Sequence, residues 1–277
     1  MLEIRLGGLV HVYAEGSVRA VDGVDLRIPA GERVALVGQN GSGKTTLVRH
    51  LNGLLRPTSG RVEVGSTDAA RLTVAQLARK VGLVFQDPDR QIFATTVHAE
   101  VEFGPRNLGL SGAALREAVA EALSATGLDG EERTNPYDLG VSRRKLLALA
   151  SVLAMRTPVL VLDEPTTGQD ARGVERVRTI VGQLAAEGRT VIAISHDMRF
   201  VAEAFERVVV MRAGQVILDG TPAEVFSGRN REALASTYLE APPAAILGER
   251  LGVGSTPTDE SLIAALRGAQ AAPASGA

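Results

Sequence analysis

Residues 33–45 read RVALVGQNGSGKT, an apolar run followed by an octet that fits the pattern GxxxxGK[ST]. The run has strand character and the residues from Thr46 to about Leu54 have a helical pattern, so the octet is expected in a strand–loop–helix turn. In that setting Gly38, Gln39, Asn40, Gly41, Ser42 and Gly43 form a backbone cradle whose N–H groups hold phosphate oxygens, the glycines permitting the close approach. Lys44 adds a mobile positive charge and Thr45 a hydroxyl suited to magnesium; Thr46 completes the candidate nucleotide-binding set. A phosphate loop of this kind sits on a parallel sheet, and it sets the expectation for the rest of the chain.

Strand-like runs dominate the start, at Leu2–Leu6, Val24–Ile28, Arg33–Val37 and Arg61–Val64. Helical patterns then alternate with short apolar strands such as Val81–Phe85, Val159–Leu162 and Thr190–Ile194. Short continuous apolar strands between helices predict an α/β fold with a parallel sheet covered on both faces, preceded by an antiparallel β piece. Ala213-Gly214 joins Val208–Met211 to Gln215–Leu218 as a hairpin, and Pro222–Phe226 begins a helix. Beyond about Gly228 the composition shifts to Ala, Pro and Gly, with a helix pair expected near Ala244–Leu251 and Asp259–Leu266 and a loose tail.

Composition narrows the function classes. The chain has 277 residues, 45% of them hydrophobic and 22% charged, enough for one large domain or a domain with an appendage. A net charge of -2 gives no nucleic-acid footprint, although Arg143, Arg144 and Lys145 form a local basic cluster. Zero cysteines remove disulfides, thiolate metal sites and cysteine catalysis. No secretory leader is expected at Met1–Arg5, and the longest apolar stretch, Leu146–Met155, is far short of the ~20 residues a membrane helix needs.

A second chemical element is VLVLDE at 159–164, a buried strand ending in two carboxylates. Asp163 is placed to support magnesium, and Glu164 to polarise an attacking water as general base. His196, in ISHD at 194–197, falls at the carboxyl end of a strand, where open α/β sheets place ligands, and is a candidate γ-phosphate contact. Gln86 also ends a strand; its amide can bind magnesium or water, or cap a turn. His11, His50 and His98 have no such context and are read as structural.

The order of the loop Gly38–Thr45, Gln86, LDEPT at 162–166, GQD at 168–170 and SHD at 195–197 resembles the ATP-binding subunits of ABC transporters over about residues 1–228. The stretches QDPDRQIFATTV at 86–97 and VEFGPRNLGL at 101–110 look like the ATPase components of energy-coupling factor importers, as do LEAPP at 239–243 and ERLG at 249–252 in the C-terminal extension. The resemblance implies a P-loop ABC ATPase fold, with an ATP-binding domain at 1–228, a helical subdomain at about 87–156 and a helical extension at 229–277. It implies ATP and Mg2+ as ligands, with Tyr13 stacking on adenine and Asp170 in a loop that crosses a dimer interface. It also implies two such subunits closing head to tail around two ATP molecules. Partners would be a sister ATPase or a second copy, a transmembrane energy-coupling subunit and a substrate-binding membrane subunit, at the cytoplasmic face of the membrane. The function implied is powering uptake of a vitamin or transition-metal ion. The alternative is a soluble ABC-type mechanical ATPase acting on DNA or ribosomes, but neither a second cassette nor a coiled-coil insertion is visible.

One segment departs from the family. Residues 138–150 read DLGVSRRKLLALA, a polar loop feeding a helix, which makes a small anion site at the helix start. In the family this loop carries LSGGQ and contacts the γ-phosphate held by the opposite subunit. Here Leu139 matches, while Gly140, Val141, Ser142 and Arg143 stand where Ser, Gly, Gly and Gln are expected. Gly140 loses a hydroxyl, and Ser142 either contacts that phosphate or caps the helix. A weak donor is easier to tolerate at one site than at two, which favours a heterodimer. Ile92 and Phe93, apolar residues in a polar loop, either form a groove for a helix of the membrane partner or pack under their own loop.

Overall fold

The computed structural model describes residues 2–13 and 18–271. Its centre is a six-stranded sheet in the order β10-β9-β3-β8-β7-β6. Five of these strands are parallel: β3 (Arg33–Val37), β6 (Val81–Val84), β7 (Val159–Asp163), β8 (Thr190–Ile194) and β9 (Arg207–Arg212). The last, β10 (Gln215–Gly220), returns antiparallel on β9 across Ala213 and Gly214. Both turn residues have positive φ, 48° and 81°, the geometry that two-residue hairpins need. Alternate residues serve opposite faces. Ala35, Val37, Leu160, Leu162, Val191 and Ala193 pack into one core, while Val34, Leu36, Val159, Val161, Ile192 and Ile194 pack into the other. Burial on both faces is why these strands read as continuous apolar runs in the sequence.

A four-stranded antiparallel sheet, β2-β1-β4-β5, covers the second core. Its strands β1 (Ile4–Val12), β2 (Arg19–Ile28) and β4 (Ser59–Val64) extend past the predicted runs, and β5 (Thr67–Asp68) is short. The register shifts between Leu6 and Leu9, beside Gly8 at φ 55°, so the apolar alternation breaks while the pairing continues. That break hid the second half of β1.

Helix α1 runs Lys44–Leu51, two residues earlier at its start than expected and three at its end. Gly43, left-handed at φ 103°, caps it, and Gly53 at φ 77° ends the turn beyond it. After the short α2 (Val74–Ala78) comes a helical segment of α3 (Val97–Asn107), α4 (Gly112–Thr126) and α5 (Val141–Leu153), packed on the first core through Val101, Val119 and Leu147. Helices α6 (Ala171–Ala186) and α7 (Met198–Ala204) flank β8, and α8 (Pro222–Val225) opens with a Thr221/Glu224 capping box. The extension holds α9 (Arg231–Ala235), α10 (Pro243–Arg250) and α11 (Asp259–Ala271), the last running past the predicted end. The tail expected after it lies outside the described residues. Among the described residues no helix is long and apolar enough to cross a membrane.

Candidate functional site

The glycine loop leaves β3 and enters α1 under tight steric limits. A Cβ on Gly38 would overlap the carbonyl oxygen of Met211, and one on Gly43 that of Ala20. Both glycines also have positive φ, 145° and 103°, so no side chain fits at either position. Ser42 is buried, with its carbonyl accepting from Gly214 N at 3.0 Å. The Lys44 ammonium sits inside the loop it follows, donating to Gly38 O at 2.6 Å and Gln39 O at 2.9 Å. Burial lowers its pKa, opposed by the negative charges of Glu164 and Asp163. The loop is thus curled around a cation.

Strand β7 delivers the carboxylates. Asp163 and Glu164 are each 5% exposed. Thr45 Oγ1 donates to Asp163 Oδ2 at 3.2 Å, which joins the start of α1 to the end of β7. Burial raises the Asp163 pKa, opposed by that hydrogen bond and by Arg49 and Lys44. Glu164 has φ 53°, an uncommon backbone for a residue with a side chain, and its N–H is fixed on Ile194 O at 2.9 Å. Its Oε2 accepts from Thr167 Oγ1 at 3.2 Å and from His196 N at 3.3 Å. Its Oε1 lies 3.3 Å from His196 Nε2 without hydrogen-bond geometry, and is buried with no partner among the described residues. Burial pushes the Glu164 carboxyl up, opposed by His196 and Thr167. A buried carboxylate with a raised pKa and one oxygen free of hydrogen bonds has the properties of a general base.

These groups line one cleft together with Tyr13, Asn40, Gly41, Gln86 and His196. Tyr13 is 38% exposed, and its hydroxyl is 3.0 Å from Thr46 Oγ1. Its ring stands edge-on to His11, with centroids 4.6 Å apart. Gly38 and Gln39 serve the site through the carbonyls that hold Lys44. The structure does not bring Gly140, Ser142 or Asp170 to this cleft. Asp170 caps α6, accepting from Gly173 N at 2.7 Å. Gly140 is the N-cap of α5.

Two expectations need correction. Ser142 makes no capping bond: it is the second residue of α5, past the cap, and its hydroxyl turns to Gln169 Oε1 at 2.6 Å. Ile92 is 3% exposed and belongs to the core, while Phe93 is 59% exposed. The pair therefore does not share a surface. Sequence reading also missed Thr167, whose hydroxyl holds Glu164; the run PTTGQD after the carboxylates was its only signal.

A glycine cradle around a lysine, facing buried acids at the carboxyl ends of parallel strands, is the nucleotide site of P-loop hydrolases. Within that class the chain belongs to the ABC transporter family, whose model matches residues 21–167. It is 39% identical over 264 residues to the energy-coupling factor transporter ATP-binding protein EcfA of Methanothermobacter thermautotrophicus, covering 95% of this chain and 83% of that one. It is 41% identical to EcfA2 of Symbiobacterium thermophilum, covering 93% of each. An ABC transporter ATP-binding protein of Caldanaerobacter subterraneus is 43% identical, but this chain spans only 42% of its length. Among solved structures, CbiO1 of Clostridium perfringens, described as part of the ABC transporter complex cbiONQ, superposes with a TM-score of 0.73 at 36% identity, over 84% of this chain and 92% of that one. A dimeric ATP-binding cassette in a post-hydrolysis state with ADP and Pi gives 0.71 at 26% identity, over 79% of this chain and 98% of that one. The fold is that of an ABC ATPase cassette.

Proposed function

We infer that this chain is the ATP-binding and hydrolysing subunit of an energy-coupling factor type importer, powering uptake of a vitamin or transition-metal ion through membrane partners. The observation that carries the hydrolytic part is Glu164, buried at the end of β7 with Oε2 hydrogen-bonded and Oε1 free of hydrogen bonds beside His196 Nε2. Names of relatives that match most of the chain support the importer assignment.

Each site residue then has a role. Tyr13 stacks on adenine; the loop Gly38–Gly43 presents its N–H groups to the phosphates; Lys44 leaves its carbonyl partners for the β- and γ-phosphate oxygens. Thr45 and Asp163 offer hard oxygen donors that already meet at 3.2 Å, the chemistry magnesium prefers, and Gln86, which lines the same cleft, adds an amide. Among the described residues no cluster of three or more His, Cys, Asp or Glu could form a protein cage for a metal, which suits an ion held largely by phosphates and water. When bound, magnesium neutralises charge on the phosphates. Glu164 orients the attacking water and takes its proton, and His196 contacts the γ-phosphate.

In the working complex residues 1–228 form the ATP-binding domain and 229–277 the extension. Two such cassettes meet head to tail at the cytoplasmic face of the membrane, with Asp170 in the interface loop and the Gly140–Ser142 segment facing the partner's ATP. The other subunits are an energy-coupling membrane protein and a substrate-binding membrane protein.

Replacing Glu164 with Gln keeps the size and removes the base. Turnover of the assembled complex, with any sister ATPase inactivated, is expected to fall by about 10²- to 10⁴-fold while ATP affinity survives. Near-wild-type turnover in Glu164→Gln would sink the assignment.

A further inference from the structure

The start of α5 is expected from sequence to form a small anion site at its backbone N–H groups, and its polar side chains face partners within the chain. Arg143 Nη1 donates to Glu131 Oε1 at 2.6 Å, and Arg144 Nε stands 3.5 Å from Asp89 Oδ1. Ser142 Oγ donates to Gln169 Oε1 at 2.6 Å, and Gln169 Nε2 donates back to Ser142 O at 3.1 Å. Lys145 Nζ donates to Thr167 O at 2.6 Å. Thr167 in turn donates its hydroxyl to Glu164 Oε2 at 3.2 Å. Helix α5 therefore grips the loop after the carboxylates at two points, Thr167 and Gln169, three residues and five residues beyond Glu164.

We propose that Lys145 is a positioning residue for Glu164: by holding the Thr167 carbonyl it keeps the Thr167 hydroxyl on Glu164 Oε2, which leaves Oε1 on the His196 side of the cleft. The Ser142–Gln169 exchange is the second strut of the same clamp. Glu164 needs such support. Its φ of 53° is a sparsely populated conformation for a residue with a side chain, and it persists only where its surroundings over-determine it. A glutamate side chain has three rotatable bonds, and here two donors on Oε2, the Thr167 hydroxyl and the His196 N–H, set which oxygen is presented; the hydroxyl is the one that α5 holds through Lys145. The Lys145 ammonium is half-buried toward the acids: Glu164, Asp87 and Asp163 are the charges that oppose its desolvation. A charge-assisted bond to a carbonyl is also stronger than a neutral one.

The clamp spans two parts of the molecule. Lys145 rides on α5 in the helical segment, whereas Glu164 ends β7 of the central sheet. A displacement of α5 that withdraws Lys145 from Thr167 would free the Glu164 carboxylate to rotate, so hydrolysis is tied to how the helical segment sits on the sheet.

The inference rests on Glu164 being the base, and the experiment separates the two. In the assembled complex, kcat and KM for ATP and the affinity for ATP are measured for Lys145→Met, Lys145→Arg, Thr167→Val, the double variant Lys145→Met with Thr167→Val, and Glu164→Gln. Lys145→Met is expected to lower kcat by about 10- to 100-fold, the scale of a misplaced catalytic group, with KM and ATP affinity within about 2-fold of wild type. Lys145→Arg, which keeps a charged donor, should recover most of the loss. Thr167→Val should reproduce the loss, and the double variant should be no worse than either single, because both act through one carboxylate. Wild-type kcat in Lys145→Met, an inactive Lys145→Arg, or losses that multiply in the double variant would each overturn the proposal. If Lys145→Met fails to assemble, Thr167→Val, of nearly the same shape, carries the same test. An active Glu164→Gln would instead refute the base assignment.

Discussion

Glu164 and His50 are both buried titratable residues, but burial has opposite uses in them. For Glu164 it raises proton affinity beside a reacting group; for His50 it keeps an imidazole neutral. His50 is 1% exposed, its Nδ1 donating to Thr46 O at 2.7 Å and its Nε2 3.1 Å from His11 Nδ1. Burial holds its pKa below the ordinary 6.5. Below about pH 6.5 the unfolded chain therefore binds a proton at this residue before the folded chain does, and stability falls as pH drops. Measured from about pH 7 to pH 5, the melting temperature of wild type is expected to fall more steeply than that of His50→Gln, which keeps a donor but cannot titrate. Groups shared by both proteins cancel in the difference, so parallel profiles would refute the prediction.

At the scale of elements, the loop between β6 and α3 shows why neighbouring apolar residues cannot be treated as a pair. Glu100, buried on α3, accepts from Phe93 N at 3.0 Å and Ala94 N at 2.8 Å, which pins the loop with Ile92 inward and Phe93 outward. Phe93 then meets Phe103 edge to face at 4.7 Å, both rings about half exposed. This aromatic pair on the helical segment is the surface we expect the membrane partner to cover. Changing Phe93 and Phe103 to Ser should abolish copurification with the membrane subunit while ATP affinity holds and stability falls by only ~0.5–1.5 kcal/mol, the worth of an aromatic pair. Ile92→Ser should cost more, at least ~2 kcal/mol, because it buries a hydroxyl where a side chain filled the core. Intact copurification of the Phe93/Phe103 variant would exclude this surface.

For the whole molecule, the proposed head-to-tail pairing would set the altered segment at the start of α5 against a partner's ATP, while Lys44 and Glu164 would serve the ATP bound by this chain. Gly140 offers backbone but no hydroxyl, and Ser142 is engaged by Gln169. A missing γ-phosphate donor would cost about 2–4 kcal/mol of transition-state stabilisation, by analogy with removal of one oxyanion-hole donor. If the sister chain carries an intact LSGGQ, the site built from this chain's Glu164 should be the faster one. Turnover measured after changing the catalytic Glu of each subunit in turn is expected to fall far more for Glu164→Gln. Equal losses, or a fully active homodimer, would refute the asymmetry.

The sequence by itself determined the central strands and most of the residues that line the cleft. The glycine octet is local: its turn needs residues without side chains, and spacing alone records that. The same holds for the two acids that end an apolar strand, and for central strands whose burial on both faces leaves an unbroken apolar run. What only the tertiary structure decided are the partnerships between distant residues. Thr45 meets Asp163 across 118 positions because β3, β8 and β7 lie side by side in parallel register. Lys145 reaches Thr167 because α5 packs over the loop leaving β7. Ile92 is buried because the helical segment closes over it. Such contacts leave no periodic trace in either segment: a hydrogen bond or a covered side chain depends on the position of both partners, and each local pattern fixes only one.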